Sequence, residues 1–292
     1  MNANKVITLA ASTEARIRST KINSMSSDEY RNSLQKLPTA AVPKKNVNYL
    51  LRGLVPILFL AFWQLSSWLE ISDNRVIPSP STVLESFSEL LGSGTLFTAL
   101  GASLARAGTG LAIALAVGIS FGVANALSKL SEVLTDSTFQ IIRVIPFIAL
   151  APLFIIWFGI GEEFKIILIA VAGVYPAYLN TYAAVRQVDR RLIETGSAFG
   201  LTNLQIIGRI ILPAASPGIL VGIRLAMGVT LLALIVAEQV NASSGIGFLI
   251  YLAQQSFRID IIIVGIIVYA ILGILIDIVM RLLERSVNPW KY

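Results

Sequence analysis

Six runs of mostly apolar residues dominate the 292-residue sequence and limit what the chain can fold into. Each run is about twenty residues or longer, which is the length that an α-helix needs to cross roughly 30 Å of hydrocarbon. The sequence therefore predicts an all-α, polytopic membrane protein with six transmembrane helices. We place these helices at residues 51–69, 96–127, 133–158, 164–184, 214–240 and 259–280.

Composition agrees with a membrane protein and excludes several classes of function. Hydrophobic residues make up 55% of the chain and charged residues only 14%, a balance that is untypical of a soluble domain. Because the chain has no cysteine and no histidine, disulfides, thiolate or imidazole metal sites and serine–histidine catalysis are ruled out. It also has no G-x-x-x-x-G-K-[ST] motif. We therefore expect no metal site, no cofactor and no ATPase or other enzymatic activity on this chain.

Basic residues predict the orientation of the chain. The formal net charge is +6, but the lysines and arginines lie mainly beside apolar runs, so we expect them to mark topology and not to bind nucleic acid. Residues 1–49 are polar and basic, and we interpret them as a cytoplasmic N-terminal extension of a transmembrane domain at 50–292. Six spans place both termini on one side of the membrane. Basic residues between the fourth and fifth spans fall on that side too, which is therefore predicted to be cytoplasmic.

Two of the spans contain residues that are unusual in an apolar helix. Gly118 and Gly122 form a G-x-x-x-G pair, which allows two helices to approach closely in lipid. The third span contains Arg143, Pro146 and Pro152, so we expect its helix to be interrupted within the bilayer. A broken helix at this depth is tolerated where it faces protein or a water-filled path.

Two intramembrane arginines are candidates for contact with a solute. Arg143 and Arg224 each lie about ten residues into their spans from the cytoplasmic side, which corresponds to a depth of ~15 Å. A charge at that depth is costly unless it faces a polar path or a partner. We interpret the two arginines either as part of a path for an anion or as structural groups that pair with carboxylates or with carbonyls freed by the prolines.

Other polar residues in the spans have similar alternatives. Glu238 is expected near the outer end of the fifth span, where it either lines the outer mouth of a path, contacts an external protein or ends the helix at the interface. Asn180 either lines the path or hydrogen-bonds to another helix. Arg106 should mark the outer interface of its span. Asp277 precedes Arg281 by one helical turn, which predicts an ion pair.

The segment 189–213, between the fourth and fifth spans, is too polar to cross a membrane. Apolar side chains recur at helical spacing up to Phe199, and Gly200 then supplies a residue that takes positive φ freely. The sequence TNLQ at 202–205 is a capping box for a second short helix. Pro213 should end that helix, because proline cannot donate into a helical ladder. We predict a helix–glycine–helix elbow whose apolar residues lie against the chain's own helices or are covered by a partner.

The elbow also carries a family signature. Glu194, Gly200, Ile210 and the pair Leu212-Pro213 match, at every fixed spacing, the E-A-A-x3-G-x9-I-x-L-P signature of inner-membrane permeases of ATP-binding-cassette (ABC) importers. The chain departs from this pattern at Thr195-Gly196, where the family has two alanines. Both replacements are small, so close approach is kept, but glycine weakens a helix by about 1 kcal/mol.

This resemblance implies a fold, an assembly and a location. The fold would be the all-α fold of type I ABC importer permeases, in the inner (plasma) membrane. The chain would form a homodimer that docks on two ABC ATPase subunits, which bind the ATP, and receives solute from a periplasmic or extracytoplasmic binding protein. The elbow would be the coupling helix that inserts into a cleft of the ATPase. The residues implied in coupling are Glu194, Ala198, Gly200, Leu201 and Pro213.

Further motifs narrow the resemblance to one branch of the family. These are PSP at 78–80, RVIP at 143–146, WFGIG at 157–161, VAEQ at 236–239 and SSGIG at 243–247, which look like those of taurine, aliphatic sulfonate and nitrate permeases. The tail, with IVYAILG at 267–273 and LLER at 282–285, is most similar to aliphatic sulfonate permeases. The alternatives are the same importer type carrying taurine, nitrate or another small solute, and an ion-coupled secondary transporter, which would also have broken helices and intramembrane charges.

Overall fold

The computed structural model describes residues 49–69, 76–240 and 242–287. The chain divides into two compact units, residues 1–58 and 59–292. Of the first unit the structure describes residues 49–58, which form the first half of helix α1. The predicted cytoplasmic extension at 1–49 therefore lies outside the described residues, apart from Tyr49.

Helices account for nearly all of the described residues, and no strand occurs among them. The α-helices are α1 (Tyr49–Trp68), α2 (Pro80–Gly92), α3 (Thr95–Leu127), α4 (Lys129–Val144), α5 (Ala151–Phe158), α6 (Glu162–Arg186), α7 (Arg190–Ala198), α8 (Asn203–Ile206), α9 (Leu212–Gln239), α10 (Ile246–Gln255) and α11 (Ile259–Val287). A 3₁₀-helix (Phe147–Leu150) precedes α5, and a π-helix (Ile207–Ile211) joins α8 to α9. The prediction of an all-α fold is confirmed.

Four helical runs in the described part of the chain are long and apolar enough to cross a membrane. They are α3, α6, α11 and the run Asn203–Gln239, which joins α8 to α9. These four runs coincide with the spans predicted at 96–127, 164–184, 259–280 and 214–240. The spans predicted at 51–69 and 133–158 correspond to α1 and to the α4–α5 segment. The apolar helices found there, Ile57–Trp68 and Phe147–Phe158, are shorter, so the count of six stays a prediction.

The α4–α5 segment is broken where the sequence predicts it. Helix α4 ends at Val144, and Ile145 and Pro146 are extended, with ψ angles of 119° and 116°. Pro146 disfavours a helical conformation in the residue before it and has no amide hydrogen to continue the ladder. The predicted interruption is therefore confirmed. The polar side of α4 faces α6, where Tyr178 donates to Asp136 (2.8 Å) and Tyr182 donates to Glu132 (2.5 Å).

Small residues hold α3, α6 and α9 together. Helices α3 and α6 run in the same direction, since Gly110 faces Ile169 and Gly118 faces Ala177. Helix α9 runs in the opposite direction along α6, since Gly218 faces Ala184 and Gly222 faces Asn180. Residues 189–213 therefore lie at the end of the bundle where α3 and α6 finish. We call this the elbow end, and the end where α3, α6 and α11 begin is the opposite end.

Gly118 is expected to be essential for the contact between α3 and α6. A Cβ atom at this position would lie 2.7 Å from the Ala177 Cβ and 2.7 Å from the Val174 carbonyl oxygen, and the backbone cannot easily move away. Gly118→Ala should lower the free energy of unfolding by about 1–3 kcal/mol through overpacking. Gly108→Ala, on the same helix but with no atom within 4 Å, is the matched control and should leave stability unchanged or raise it slightly. Unfolding midpoints of the two purified variants measure the difference, and equal midpoints would contradict the packing described.

Candidate functional site

The elbow is built from two helices joined at a glycine. Helix α7 begins after Asp189, whose carboxylate accepts a hydrogen bond from the Arg191 amide at 2.9 Å. Gly200 has a φ of +78°, which only glycine adopts without cost. The Leu201 amide donates back to the Gly196 carbonyl at 3.1 Å and closes the turn. The predicted interruption at Gly200 is confirmed.

The second part of the elbow starts with the predicted capping box. The Thr202 hydroxyl accepts a hydrogen bond from the Gln205 amide at 3.4 Å, and the Gln205 side chain accepts one from the Thr202 amide at 2.9 Å. Two amides that have no partner inside the helix are thereby satisfied. The start of α8 could thus be predicted from local sequence alone.

Pro213 does not end the second helix, so this prediction is wrong. The chain stays helical from Asn203 to Gln239. Immediately before the proline the helix widens into a π-helix, in which the Leu212 amide donates to the Ile207 carbonyl five residues earlier. The wider turn leaves room for the proline ring, which would clash with a carbonyl in a regular α-helix. The second part of the elbow, from Asn203, and α9 therefore form one continuous helical element.

The two faces of the elbow differ in their environment. Ile206 and Ile211 are buried against Val185 at the end of α6 and Ala215 at the start of α9. On the other face, Phe199 and Leu204 are each 81% exposed. Packing against the chain's own helices, the first of the two interpretations, therefore describes Ile206 and Ile211. It does not describe Phe199 and Leu204.

Most of the residues implied in coupling are exposed. Glu194 is exposed and pairs with Arg190 at 3.1 Å, Ala198 and Gly200 are exposed, and Leu201 is half-buried. Pro213 is exposed as well, at the base of α9. The sequence prediction did not include Phe199 and Leu204. The available signal was that these two large apolar residues flank the glycine turn, where few inward positions exist.

Gly196, which replaces a family alanine, lies on the buried side of α7. A Cβ atom there would come within 2.4 Å of the Ile210 Cδ1 atom. The Ile210 side chain thus occupies the space that the methyl group of an alanine at position 196 would take. The close approach of α7 to the π-helix is kept.

Arg143 lies at mid-depth in the bundle. Its Nη1 donates to the Tyr175 hydroxyl at 3.4 Å, and Tyr175 is thirteen residues from the first residue of α6 and eleven from the last. No carboxylate among the described residues is paired with Arg143. The arginine lines a cavity of about 230 Å³ together with Tyr175 and Pro176, beside the break after α4. The Arg143 residue is exposed.

Arg224 has a different environment, in which carboxylates compensate its charge. Its Nη2 lies 3.1 Å from Glu284 and its Nε lies 3.6 Å from Asp277, both on α11. Neither nitrogen makes an aligned hydrogen bond, so the attraction is between charges. Asp277 also forms the predicted ion pair with Arg281, which is confirmed. Of the two interpretations given for Arg224, the structural one describes its contacts.

Among the described residues, Asn180 hydrogen-bonds within its own helix, and its two predicted roles stay open. Its Nδ2 donates to the Pro176 carbonyl of the same helix at 2.8 Å. Its Cβ atom instead faces Gly222 of α9. Asn180 therefore contributes to the close contact between α6 and α9 through its Cβ atom.

A buried cluster of charges holds five helices together near the opposite end, and we call it the Arg106–Glu238 cluster. Arg106 is 6% exposed and Glu238 is fully buried, and their side chains meet at 2.8 Å. Arg106 also donates to Glu162 at 2.5 Å, and Lys165 donates to Glu162 at 2.8 Å. Two cations therefore balance two carboxylates. Arg106 is buried because these carboxylates supply its partners, and its expected place at the outer interface stays a prediction.

Glu238 also organises the chain that follows it. Its carboxylate accepts hydrogen bonds from the Ser103 hydroxyl (2.8 Å), the Gly247 amide (2.8 Å) and the Tyr269 hydroxyl (3.2 Å). A Cβ atom at Gly245, where φ is +123°, would lie 2.3 Å from this carboxylate. The glycines of the SSGIG motif thus let α10 begin directly on Glu238. Fully buried in this chain, Glu238 presents no surface to a solute, and its place in a path stays a prediction.

The fold and these sites define a class of protein. Long apolar helices packed through small residues, a broken helix beside an uncompensated arginine, and a polar elbow at one end describe a multi-pass helical membrane protein of the kind that moves solutes. Comparison with known proteins identifies the family. Its profile, described as "Binding-protein-dependent transport system inner membrane component", matches residues 114–289. The chain belongs to this family of inner-membrane transport components.

Curated relatives agree with this assignment. The chain is 38% identical over 267 residues to the putative aliphatic sulfonates transport permease protein SsuC of Bacillus subtilis (strain 168), covering 90% of this chain and 97% of the relative. It is 41% identical over 237 residues to the SsuC protein of Escherichia coli (strain K12), covering 81% and 90%. The taurine transport system permease protein TauC of the same organism is 33% identical, covering 82% and 88%. These relatives are permease subunits of ABC transporters and not enzymes.

Solved structures show the same fold. An inward-facing form of the MetNI methionine ABC transporter matches with a TM-score of 0.55 and 21% identity, over 63% of this chain and 92% of that chain. An amino acid ABC transporter matches with a TM-score of 0.58 and 16% identity, over 68% and 97%. The fold is therefore that of ABC importer permeases. Membership of a binding-protein-dependent family sets aside the alternative of an ion-coupled secondary transporter.

Proposed function

We propose that this chain is the permease subunit of an ATP-driven importer for aliphatic sulfonates or a closely related small organic anion. The observation that carries the proposal is its identity of 38–41% with two permeases named for aliphatic sulfonates, over most of each chain. Taurine and nitrate remain the alternative solutes, because permeases named for these two solutes are 33% and 32% identical to the chain. All three solutes are small molecules with an anionic oxygen group.

The proposed assembly is a homodimer on two ABC ATPase subunits, with ATP bound by the ATPases. The elbow at 189–213 is the proposed coupling element, with Glu194, Ala198, Gly200, Leu201 and Pro213 at its contact with the ATPase. The exposed pair Phe199 and Leu204 supports this proposal, since apolar side chains at such exposure favour burial against a partner. This arrangement requires both termini and the elbow end to be cytoplasmic. Solute then enters from a binding protein at the opposite end.

Arg143 is the proposed contact for the anion inside the membrane. Its planar guanidinium can donate two parallel hydrogen bonds to two oxygens of a sulfonate. The cavity of about 230 Å³ beside it, with the Tyr175 hydroxyl as a second donor, has room for a small sulfonate. Arg224 is not proposed for this role, because Asp277 and Glu284 already compensate its charge. Asn180 and Glu238 are proposed to support the helices around the path.

The experiment that tests the solute is a comparison of anions on the purified complex. The permease is purified with its ATPase and reconstituted in lipid with the binding protein, and ATP hydrolysis is measured with ethanesulfonate, taurine, nitrate or acetate. We expect ethanesulfonate to stimulate hydrolysis most strongly. Stimulation by nitrate alone would assign the chain to the nitrate permeases, and stimulation by none of these anions would contradict the proposal.

Arg143→Gln tests the path. Loss of one charge-assisted contact of about 1.5–3 kcal/mol should lower sulfonate uptake roughly ten- to hundredfold. Arg285→Gln, which removes an exposed arginine at the end of α11, is the control and should leave uptake unchanged. Uptake is measured at equal amounts of assembled complex. Full uptake by the Arg143 variant would exclude this arginine from the path.

A further inference from the structure

The turn between α10 and α11 contains an unusual phenylalanine. Phe257 has a φ of +54°, and it is the one non-glycine residue in the described part of the chain with a positive φ. The Phe257 amide donates to the Gln254 carbonyl (3.3 Å) and the Arg258 amide donates to the Ala253 carbonyl (2.8 Å). These bonds form the helix-ending motif in which the left-handed position is usually glycine. A bulky residue at this position is strained.

Packing within the chain does not compensate this strain. The Phe257 side chain is 87% exposed, more than any other large hydrophobic residue in the described ranges. Glycine or asparagine would satisfy the backbone better, and a polar side chain would suit the exposure better. The turn thus keeps an exposed aromatic ring at a position where folding of this chain favours neither the ring nor its backbone.

The turn that carries Phe257 is hydrogen-bonded to α2, and its surroundings are acidic. Arg258 donates to Asp260 at 2.7 Å, and the Ser86 hydroxyl of α2 donates to the same carboxylate at 2.6 Å, so the turn is fixed to α2. A cavity of about 660 Å³ lies between α2 and the turn, lined by Glu85, Glu89 and Phe257 among others. Three carboxylates face one arginine here, which leaves two negative charges on a chain whose net charge is +6. We call Glu85, Glu89, Phe257 and Arg258 the Phe257 surface.

We infer that the Phe257 surface is where the external binding protein docks, with Phe257 as the apolar anchor and Glu85 and Glu89 as its charged rim. The inference rests on the proposed function and specifies the partner's contact face. The Phe257 surface lies at the opposite end of the bundle from the elbow. In the proposed function, solute enters at this opposite end. The family description itself requires a binding protein. The complementary partner has an apolar socket for the ring, with lysine or arginine side chains around it.

Other occupants fit the Phe257 surface less well. In a two-fold contact with a second copy of this chain centred on the patch, Glu85 and Glu89 would meet their own copies, and like charges would repel. Anionic lipid headgroups would meet the same carboxylates, whereas interfacial anchors in membranes are typically tryptophan, tyrosine and basic residues. A protein surface with an apolar socket and basic side chains around it is complementary to both the Phe257 ring and the carboxylates.

A pair of substitutions at Phe257 separates docking from folding. The complex of permease and ATPase is purified in lipid nanodiscs. The binding protein used is the one that gives sulfonate-stimulated ATP hydrolysis with this complex. Its affinity for the complex is measured with solute present. Phe257→Ala and Phe257→Gly should both weaken binding about tenfold or more. The glycine variant should unfold at an equal or higher temperature than the wild type, because it relieves the backbone strain. A structural role would instead lower the unfolding temperature of both.

The charged rim has its own variant and controls. Glu85→Gln combined with Glu89→Gln should weaken binding and reduce its dependence on salt, because fewer charges are screened. Glu163→Gln, an exposed carboxylate on α6, and Phe62→Ala, an exposed ring on α1, should leave affinity unchanged. Wild-type affinity in all Phe257 and Glu85/Glu89 variants would overturn the docking surface while leaving the proposed function in place. Failure of wild type to respond to any sulfonate-loaded binding protein would overturn the proposed function and this inference together.

Discussion

Glu238→Ala is expected to destabilise the purified protein by about 3–5 kcal/mol, a large fraction of the stability of most proteins. The substitution removes a buried carboxylate from a cluster that balances two cations with two anions. Arg106 then stays buried with one carboxylate fewer, and the Gly247 amide and Tyr269 hydroxyl lose their acceptor. Leaving such groups buried and unpaired costs more than their bonds contribute. The unfolding midpoint in detergent measures the effect.

Two comparisons make this test specific. Glu163→Ala removes an exposed carboxylate from the first turn of α6 and should change stability by less than about 0.5 kcal/mol. The double variant Arg106→Leu, Glu238→Leu removes both partners and should lose less than the sum of the two single leucine variants. Additive losses would show that the two side chains do not act as a pair. A Glu238→Ala variant as stable as wild type would contradict the cluster.

Phe199→Asp should abolish binding of the ATPase while leaving the permease folded. The side chain is 81% exposed, so a carboxylate there has ample water in the free chain, but it would be buried in a docked elbow. Copurification with the ATPase should fall by a factor of a hundred or more, the scale of an interface hot spot of about 3 kcal/mol. Leu204→Asp should behave in the same way.

Two further variants separate the apolar character of the elbow from its shape. Phe199→Leu retains an apolar side chain and should keep most of the binding. Gly200→Asp adds a charge where a new Cβ atom meets nothing within 4 Å, but the φ of +78° also strains the turn, so this variant changes both the elbow's contact surface and its backbone. Retention of the ATPase by Phe199→Asp and Gly200→Asp together would mean that the elbow is a surface loop without a role in coupling.

Local chemistry explains which features could be predicted from the sequence. The turn at Gly200 and the capping box at Thr202 and Gln205 depend on neighbours within a few residues, and both were predicted correctly. The break at Pro146 has the same local cause. Pro213 was predicted wrongly, because the π-helix that accommodates it also depends on packing of Ile206 and Ile211 against α6 and α9.

Features that depend on distant residues could not be predicted. Arg106 and Glu238 are 132 positions apart, and nothing in either local sequence indicates that they meet. The sequence left two interpretations open for Arg143 and Arg224, namely an anion path and structural pairing. The ion pairs with α11 distinguish Arg224 from Arg143, because they give Arg224 structural partners. The exposure of Phe257 at a strained backbone position was hidden too, because an apolar residue between two apolar helices suggests burial.

Solute accumulation in proteoliposomes tests the central claim most directly. The permease and its ATPase are reconstituted so that the elbow faces a compartment supplied with ATP, and radiolabelled ethanesulfonate is added with the binding protein on the other side. We predict accumulation of ethanesulfonate toward the elbow side that requires both ATP hydrolysis and the binding protein. Accumulation driven by a sodium or proton gradient without ATP would contradict an ATP-driven importer that is coupled through the elbow.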